Sequence, residues 1–391
     1  MTYFFGNWRF WAGVLVSVVT LALLVLLVDR RELWEALRTA NYLYLAPAIA
    51  LYFIGQWFRA LRWQYLLSPI ASISARRLYP VIIIGYMANN VLPARLGELV
   101  RAVYLSRRER EVSVPASIAT LSVERLYDGL TLLALGAVAA PILLAAGLFS
   151  EASLAYRSTA IVLMAGVVGS FVAALVILTA LACSRRTLRW FVGLTGLLPA
   201  RFRVMAADIV VSFVEGLGTL NSPTKHAALF VGSLPVWLAE AGVYLIVAYS
   251  FNLDAYFTSF WYLALAIVLV TVTSNLITAI PASIGGIGAF EVVAQQTLVG
   301  LGVGAATAAS YSVAVHLLAL WLPVNLAGLA LLLWHNVSLR GLASLPEGRN
   351  DDEESGEVSG GDVLDSRFRG NDGVKRGNDG ADQGVRAAQD D

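Results

Sequence analysis

Six ionisable side chains stand close together in an otherwise oily part of the chain: Arg95, Glu98, Arg101, Glu124, Arg125 and Asp128. Glu98 and Arg101 are three residues apart, and Glu124 and Asp128 are four apart. On helices each pair would share a face, with Arg125 beside the second. An ionisable group inside an apolar helix costs about 2.5–3.5 kcal/mol on insertion scales unless it is paired or hydrated. A shared polar cavity is the simplest way to meet that cost. The arginines of such a cavity would neutralise an anionic or phosphate-bearing headgroup, and the acids would hold the arginines or couple to protons. Alternatively, Glu124 or Asp128 would act as a general base in an integral transferase. The plainer reading, which also applies to Glu240 in "WLAEAGVYL", is an ion-pair network that fixes helix packing.

Two stretches share an unusual shape. "NNVLPARLGE" begins at Asn89 and "SNLITAIPASIGGIGAFE" at Ser274. Each sets an asparagine (Asn90 in the first) ahead of a Pro-Ala-x-(Leu/Ile)-Gly core, at Pro93 to Gly97 and at Pro281 to Gly285. Each then carries a glutamate, Glu98 or Glu291, and leads through small residues into a long apolar segment. This parallel predicts an internal repeat with halves at about 42–182 and 227–335. Membrane carriers built on repeats often place broken helices face to face near the bilayer midplane. Proline suits a first helical turn, where free N–H groups and the positive dipole end favour anions. Gly97, Gly285 and Gly286 would let a backbone or headgroup come close. Pro93, Pro281 and Glu291 therefore join the candidate headgroup-binding residues.

The elements that position these residues are set by composition. The 391 residues are 58% hydrophobic and only 14% charged, with a mean hydropathy of +0.69. This is the profile of a polytopic membrane protein. Ten tryptophans and fifteen tyrosines suit interfacial aromatic belts. The lone Cys183 excludes an intrachain disulfide, and the three histidines (His226, His316, His335) are too scattered for a metal centre. Neither a cofactor nor a metal is expected. "GGIG" has no preceding strand and no following lysine, so it is no nucleotide loop, and the bases are too dispersed for nucleic acid.

Apolar runs predict about seven spanning helices: Phe10–Val28, Tyr42–Phe58, Leu130–Phe149, Ala160–Ala182, Ala227–Phe251, Phe257–Ile280 and Ala305–Trp334. None alternates with a two-residue period, so the class is all-α. Leu78–Leu92 is short and Pro281–Leu301 is glycine-rich, so both read as re-entrant or broken helices. Four arginines lie between Arg59 and Arg77, five between Arg95 and Arg110, and six bases between Arg185 and Lys225. With basic loops inside, the N-terminus is cytoplasmic, and both motifs approach the cytoplasmic side, which favours a parallel repeat over an inverted one. The first run, which lacks a small-residue cleavage site, reads as a retained anchor. "DRRELWEALRTAN" reads as a short interfacial helix. "FRALRWQYLL", from Phe58, reads as an interfacial anchor carrying Arg59 and Arg62. Residues 347–391, with 13 acids, 6 bases and "RGNDG" twice, read as a disordered tail.

With "RALRW" at 59–63, "NNVLPARLGELVRAVYL" at 89–105, "ASIATLSVERLYDGL" at 116–130 and "PASIGGIGAFEVVAQQTLVGLGV" at 281–303, the chain resembles the lysylphosphatidylglycerol synthase transmembrane region, also described as flippase-like. The resemblance covers roughly Phe10 to Trp334. It implies that residues 1–346 form a flippase-like domain handling lipid, without the soluble aminoacyl-transferase domain found in the best-known members. Two positions depart from the family pattern, which commonly has arginine where His316 stands and Pro-Gly where Pro281-Ala282 stands. The expected function is translocation of an anionic or polyprenyl-phosphate-linked lipid across a bacterial inner membrane. With no ATP motif, transport would be downhill or ion-coupled. The alternatives are a non-catalytic partner of a lipid-modifying or glycosyl transferase, and an integral transferase.

Overall fold

The computed structural model describes residues 29–92, 96–150, 157–184, 200–279 and 284–334, with four single positions (15, 19, 22 and 193). The expected anchor Phe10–Val28, the tail 347–391, and Pro93, Arg95 and Pro281 lie outside the described residues, apart from three positions in the anchor. The chain divides into two compact units, residues 1–189 with 212–345 and residues 190–211 with 346–391. Every residue of the site belongs to the first.

Among the described residues the fold is all-helical, that of a polytopic membrane protein. The helices are α1 (Arg30–Thr39), α2 (Leu45–Leu67), α3 (Ala75–Val91), α4 (Gly97–Arg108), α5 (Val114–Ala145), α6 (Arg157–Cys183), α7 (Ala200–Gly216), α8 (Pro223–Ser250), α9 (Phe260–Thr278) and α10 (Ala289–Gly300), followed by α11 (Ala305–Trp334). Among the described residues, five segments are long and apolar enough to cross a bilayer: Val114–Ala145, Met164–Cys183, Pro223–Ser250, Phe260–Thr278 and Ala305–Trp334.

Local chemistry sets the boundaries. The Asp29 carboxylate accepts from the N–H groups of Arg31 and Glu32 and starts α1, the expected short helix of "DRRELWEALRTAN". Ser113 caps α5, with Pro115 in its first turn, and Ser259 caps α9. The run expected at Tyr42–Phe58 begins with a 3₁₀ turn over Tyr42–Tyr44 and continues to Leu67 as α2. That expected at Leu130–Phe149 is the second half of α5. Apolar scanning placed its start too late because Glu124, Arg125 and Asp128 sit mid-helix.

Small residues let the helices approach where apolar burial has little to drive it in lipid. Gly55 of α2 faces Ala239 of α8, where an added Cβ would lie 3.4 Å from the alanine methyl group. Tyr52, Tyr244, Ile267, Phe290, Ala294, Tyr311 and Val315 join α2, α8, α9, α10 and α11 in one core.

The two motif stretches share an order of elements. In the first, α3 ends at Val91, the 12-residue α4 starts at Gly97, and the 32-residue α5 comes next. In the second, α9 ends at Thr278, the backbone turns through Ile284–Gly286, the 12-residue α10 follows, and the 30-residue α11 comes next. At 1.5 Å per residue the short helices reach only about 18 Å, too little to cross hydrocarbon.

In both stretches the short helix packs back along the helix before it. A Cβ on Gly97 would lie 2.2 Å from the Gly85 carbonyl oxygen and 2.5 Å from the Asn89 nitrogen, and one on Gly85 would strike the Arg101 stem. Residues 85 and 101 therefore face each other across an antiparallel hairpin. In the second stretch Thr273 and Thr297 hydroxyls lie 2.9 Å apart, so α9 and α10 form a hairpin too.

Candidate functional site

Asp128, in the middle of α5, is the hub of a buried network. It accepts from Arg62 at 2.7 Å and from the Trp237 indole at 3.0 Å. Arg59 and Arg125 each lie 3.5 Å from its second oxygen. One turn earlier, Glu124 takes both terminal nitrogens of Arg101 at 3.0 and 3.1 Å, and Arg62 sits 3.8 Å from it. Glu240 of α8 holds Arg59 at 2.8 Å, and Glu98 at the start of α4 holds Arg125 at 2.7 Å.

The cluster thus joins α2, α4, α5 and α8 through four arginines and four carboxylates. Aromatic faces take the remaining guanidinium surface. Arg101 lies over Trp63 at 4.3 Å, Arg59 over Trp237 at 5.1 Å, and Tyr86 faces both Arg59 and Arg125. Such planar contacts favour arginine over lysine.

Burial grades across the network. The Arg101 and Glu124 side chains are 1% and 0% exposed, and Arg62 and Asp128 are almost as deep. Arg125 and Glu98 keep 28% and 30% of their surface open. A polar chamber of about 150 Å³ lies against Arg59, Arg125 and Glu240, closed by Gln56, Tyr86, Asn90, Trp237, His316 and Trp321 among others. A larger cavity of about 590 Å³ lies beyond Arg125, between Glu98 and Asp128 on one side and Phe171, Ala174 and Leu178 of α6 on another. The two share Arg125, Trp237, Asn275 and Thr278. Asn275 donates to the Tyr244 hydroxyl at 3.0 Å.

The second hairpin closes the chamber. Gly285 and Gly286 have φ of 61° and 77°, conformations that a side chain would resist. A Cβ on Gly285 would approach the Asn90 carbonyl to 3.0 Å and the Trp321 indole nitrogen to 3.1 Å. The two motifs therefore meet, as Asn90 and Gly285 touch the same chamber.

Glu291, fully buried, accepts from its own Gly288 N–H at 2.6 Å and lies 2.7 Å from His316 Nδ1. The anion-favouring start of α10 is therefore occupied by the chain's own carboxylate. His316 stacks on Phe290 at 4.2 Å. It belongs to a π-helical segment over Ala314–Trp321 in the middle of α11. Wider π turns bring His316, Leu320 and Trp321 onto one face, and all three line the chamber.

Of the predicted residues, Glu98, Arg101, Glu124, Arg125 and Asp128 form one network, but only Arg125 of these lines the chamber. Arg101 and Glu124 are sealed behind it. Gly97 serves the close approach of α3 and α4, and Glu291 faces away into its pair with His316. Pro93, Arg95 and Pro281 fall outside the described residues. Sequence reasoning missed Arg59 and Arg62, read as interfacial anchors and here 3% and 4% exposed. It also missed Gln56, Tyr86, Trp237 and Trp321. The signal for α2 was present, since Gln56, Arg59 and Arg62 recur every three residues and so share a face. Among the described residues no cluster of histidine, cysteine or acidic side chains is set up to hold a metal.

Fold and site together define a multi-pass helical membrane protein with two broken-helix hairpins closing an ion-paired polar chamber. The chain belongs to the family of the lysylphosphatidylglycerol synthase transmembrane region, whose model matches residues 10–327. It is similar to a UPF0104 membrane protein of Methanothermobacter thermautotrophicus, 26% identical over 318 residues that cover 79% of this chain and 90% of the relative. It is also similar to the glycosyltransferase AglD of Haloferax volcanii, 26% identical over 305 residues, 72% of this chain. The match spans about half of AglD, 47% of its length. No solved structure matches the chain.

Proposed function

We propose that the protein translocates an anionic or phosphate-bearing lipid, or a lipid-linked intermediate, across the bacterial inner membrane, with its N-terminus cytoplasmic. The observation that carries this reading is the pair of adjoining cavities. A polar chamber shares Arg125, Trp237, Asn275 and Thr278 with a wider cavity lined partly by apolar residues of α6. A headgroup fits the first and the upper acyl chain the second. Arg125, on the partition and partly open, is the cation best placed to meet a phosphate passing between them. Arg59, Arg62 and Arg101 hold the helices that shape the path.

The test is reconstitution of the full chain into liposomes carrying headgroup-labelled lipids, read with a membrane-impermeant quencher. Quenching is expected to pass beyond the outer-leaflet share and to stop in Arg125→Glu at unchanged melting temperature. Quenching that halts at the outer leaflet for every anionic lipid and polyprenyl phosphate tried would sink the reading. So would an Arg125→Glu protein that no longer folds, since the residue would then be structural.

A second reading is favoured by the similarity to AglD: a membrane partner of a separate glycosyl or other lipid-modifying transferase. Co-purification of such an enzyme, with loss of its product when this chain is deleted, would support it.

A further inference from the structure

We infer that the part of the lipid held in the polar chamber is an uncharged, hydroxyl-rich group the size of a single sugar ring, carried beyond the phosphate. This rests on the translocation reading and names its substrate class. Three observations carry it.

The first is charge. Among the described residues, each arginine of the network faces at least one carboxylate, and the four Arg are matched by Glu98, Glu124, Asp128 and Glu240. A bare phosphate would need arginines that are not already engaged, and among the described residues both arginines of the chamber wall are held by carboxylates. Of its two arginines, Arg59 already serves Glu240 and Asp128, and Arg125, on the partition, serves Glu98 and Asp128. Beside these paired charges, the chamber offers an entering group the neutral dipoles of Gln56, Tyr86, Asn275 and Trp321.

The second is unmet hydrogen bonding. Gln56 Oε1, the Tyr86 hydroxyl and Trp321 Nε1 are buried without partners, and all three residues line the same chamber. Gln56 is 2% exposed. A buried polar atom left unpaired is costly, so each calls for a partner. They comprise an acceptor, a donor–acceptor and a donor, which hydroxyl groups can satisfy together because each both donates and accepts. A phosphate oxygen cannot serve the amide acceptor.

The third is shape and wall chemistry. At about 150 Å³ the chamber is smaller than the adjoining cavity of about 590 Å³, so it suits a compact group better than a long chain. Tyr52, Tyr86, Trp237, Phe290 and Trp321 contribute rings to its lining, and the C–H faces of a sugar pack on such apolar ring surfaces while its rim of hydroxyls bonds outward.

The experiment is equilibrium binding to the full chain in phosphatidylcholine nanodiscs. It compares a polyprenyl phosphate bearing one glucose with the same polyprenyl phosphate lacking sugar. The sugar-bearing lipid is expected to bind at least tenfold tighter. Gln56→Leu and Trp321→Phe should each weaken it about 3- to 10-fold, the loss typical of one hydrogen bond, and leave the bare phosphate lipid unaffected. Equal binding of the two lipids, or equal weakening of both by the variants, overturns the inference. Melting temperatures identify a misfolded variant, in which case the two-lipid comparison on the unmodified protein decides alone. Sugar selectivity without any crossing in liposomes would sink translocation and leave this inference standing. Crossing without selectivity would do the reverse.

Discussion

The two hairpins have the same outline and opposite chemistry. The first, α3 and α4 with α5 behind, is pinned by charge: Arg101 on Glu124, Arg125 on Glu98, and Asp128 at the centre. The second, α9 and α10 with α11 behind, has among the described residues one ionisable pair, Glu291 with His316, beside glycines with positive φ and a π-helical segment. The first is thus a wall braced by ion pairs, and the second a wall whose shape depends on glycine conformations beside the chamber. Buried charge in one hairpin and left-handed glycines in the other give two similar outlines different chemistry.

The sharpest way to break this comparison is to unpair the deepest charge. Glu124→Ala leaves Arg101 buried and uncompensated, so it should lose about 3–5 kcal/mol and fail thermal-shift tests in detergent. The double variant Arg101→Met with Glu124→Leu should recover most of that stability. Recovery would mean the pair contributes geometry more than energy, and its absence that the wider network depends on both charges.

Next come the glycines. Gly97→Ala drives a Cβ into backbone atoms of α3 at 2.2 and 2.5 Å, and overpacking of this kind costs about 1–3 kcal/mol. Gly286→Ala presses on the Thr278 side chain at 3.0 Å and touches the His316 ring at 3.8 Å, with no backbone atom as close. Its cost should be the left-handed backbone conformation, about 1–2 kcal/mol. If the second glycine proves the more damaging in melting experiments, close packing at Gly97 is not the stronger constraint.

His316→Leu removes one of the two partners of Glu291 and should cost about 1–3 kcal/mol, with restoration by His316→Gln checked by the same melting assay. The smallest stability effect belongs to Arg125→Gln. Partly open pairs contribute about 0–1 kcal/mol, so this protein should melt nearly as the parent does while losing lipid movement in the quenching assay.

Much of this was legible in the sequence, for reasons that can be named. Apolar runs gave the long helices because a helix in lipid must stay apolar for some twenty residues. The spacing of Glu124 and Asp128 placed them on one face without a structure. Arg59 and Arg62 misled because arginines at the end of an apolar run usually mark an interface, and only packing against α5 and α8 turns them inward. His316 and Trp321 could not be paired from sequence. On an ordinary helix five residues turn through about 500°, leaving the two about 140° apart. The π segment removes that difference, and nothing in "AVHLLALW" announces it.

Among the described residues, the even match of four arginines with four carboxylates has an electrical consequence. A cluster with no net charge presents no net gating charge, so the transmembrane potential does little work on it as it shifts as a body. Any voltage dependence of the proposed transport should then come from the cargo, at about 2.3 kcal/mol per elementary charge for each 100 mV crossed. Counting the charge of the lipid that moves would thus require only a membrane potential and a rate.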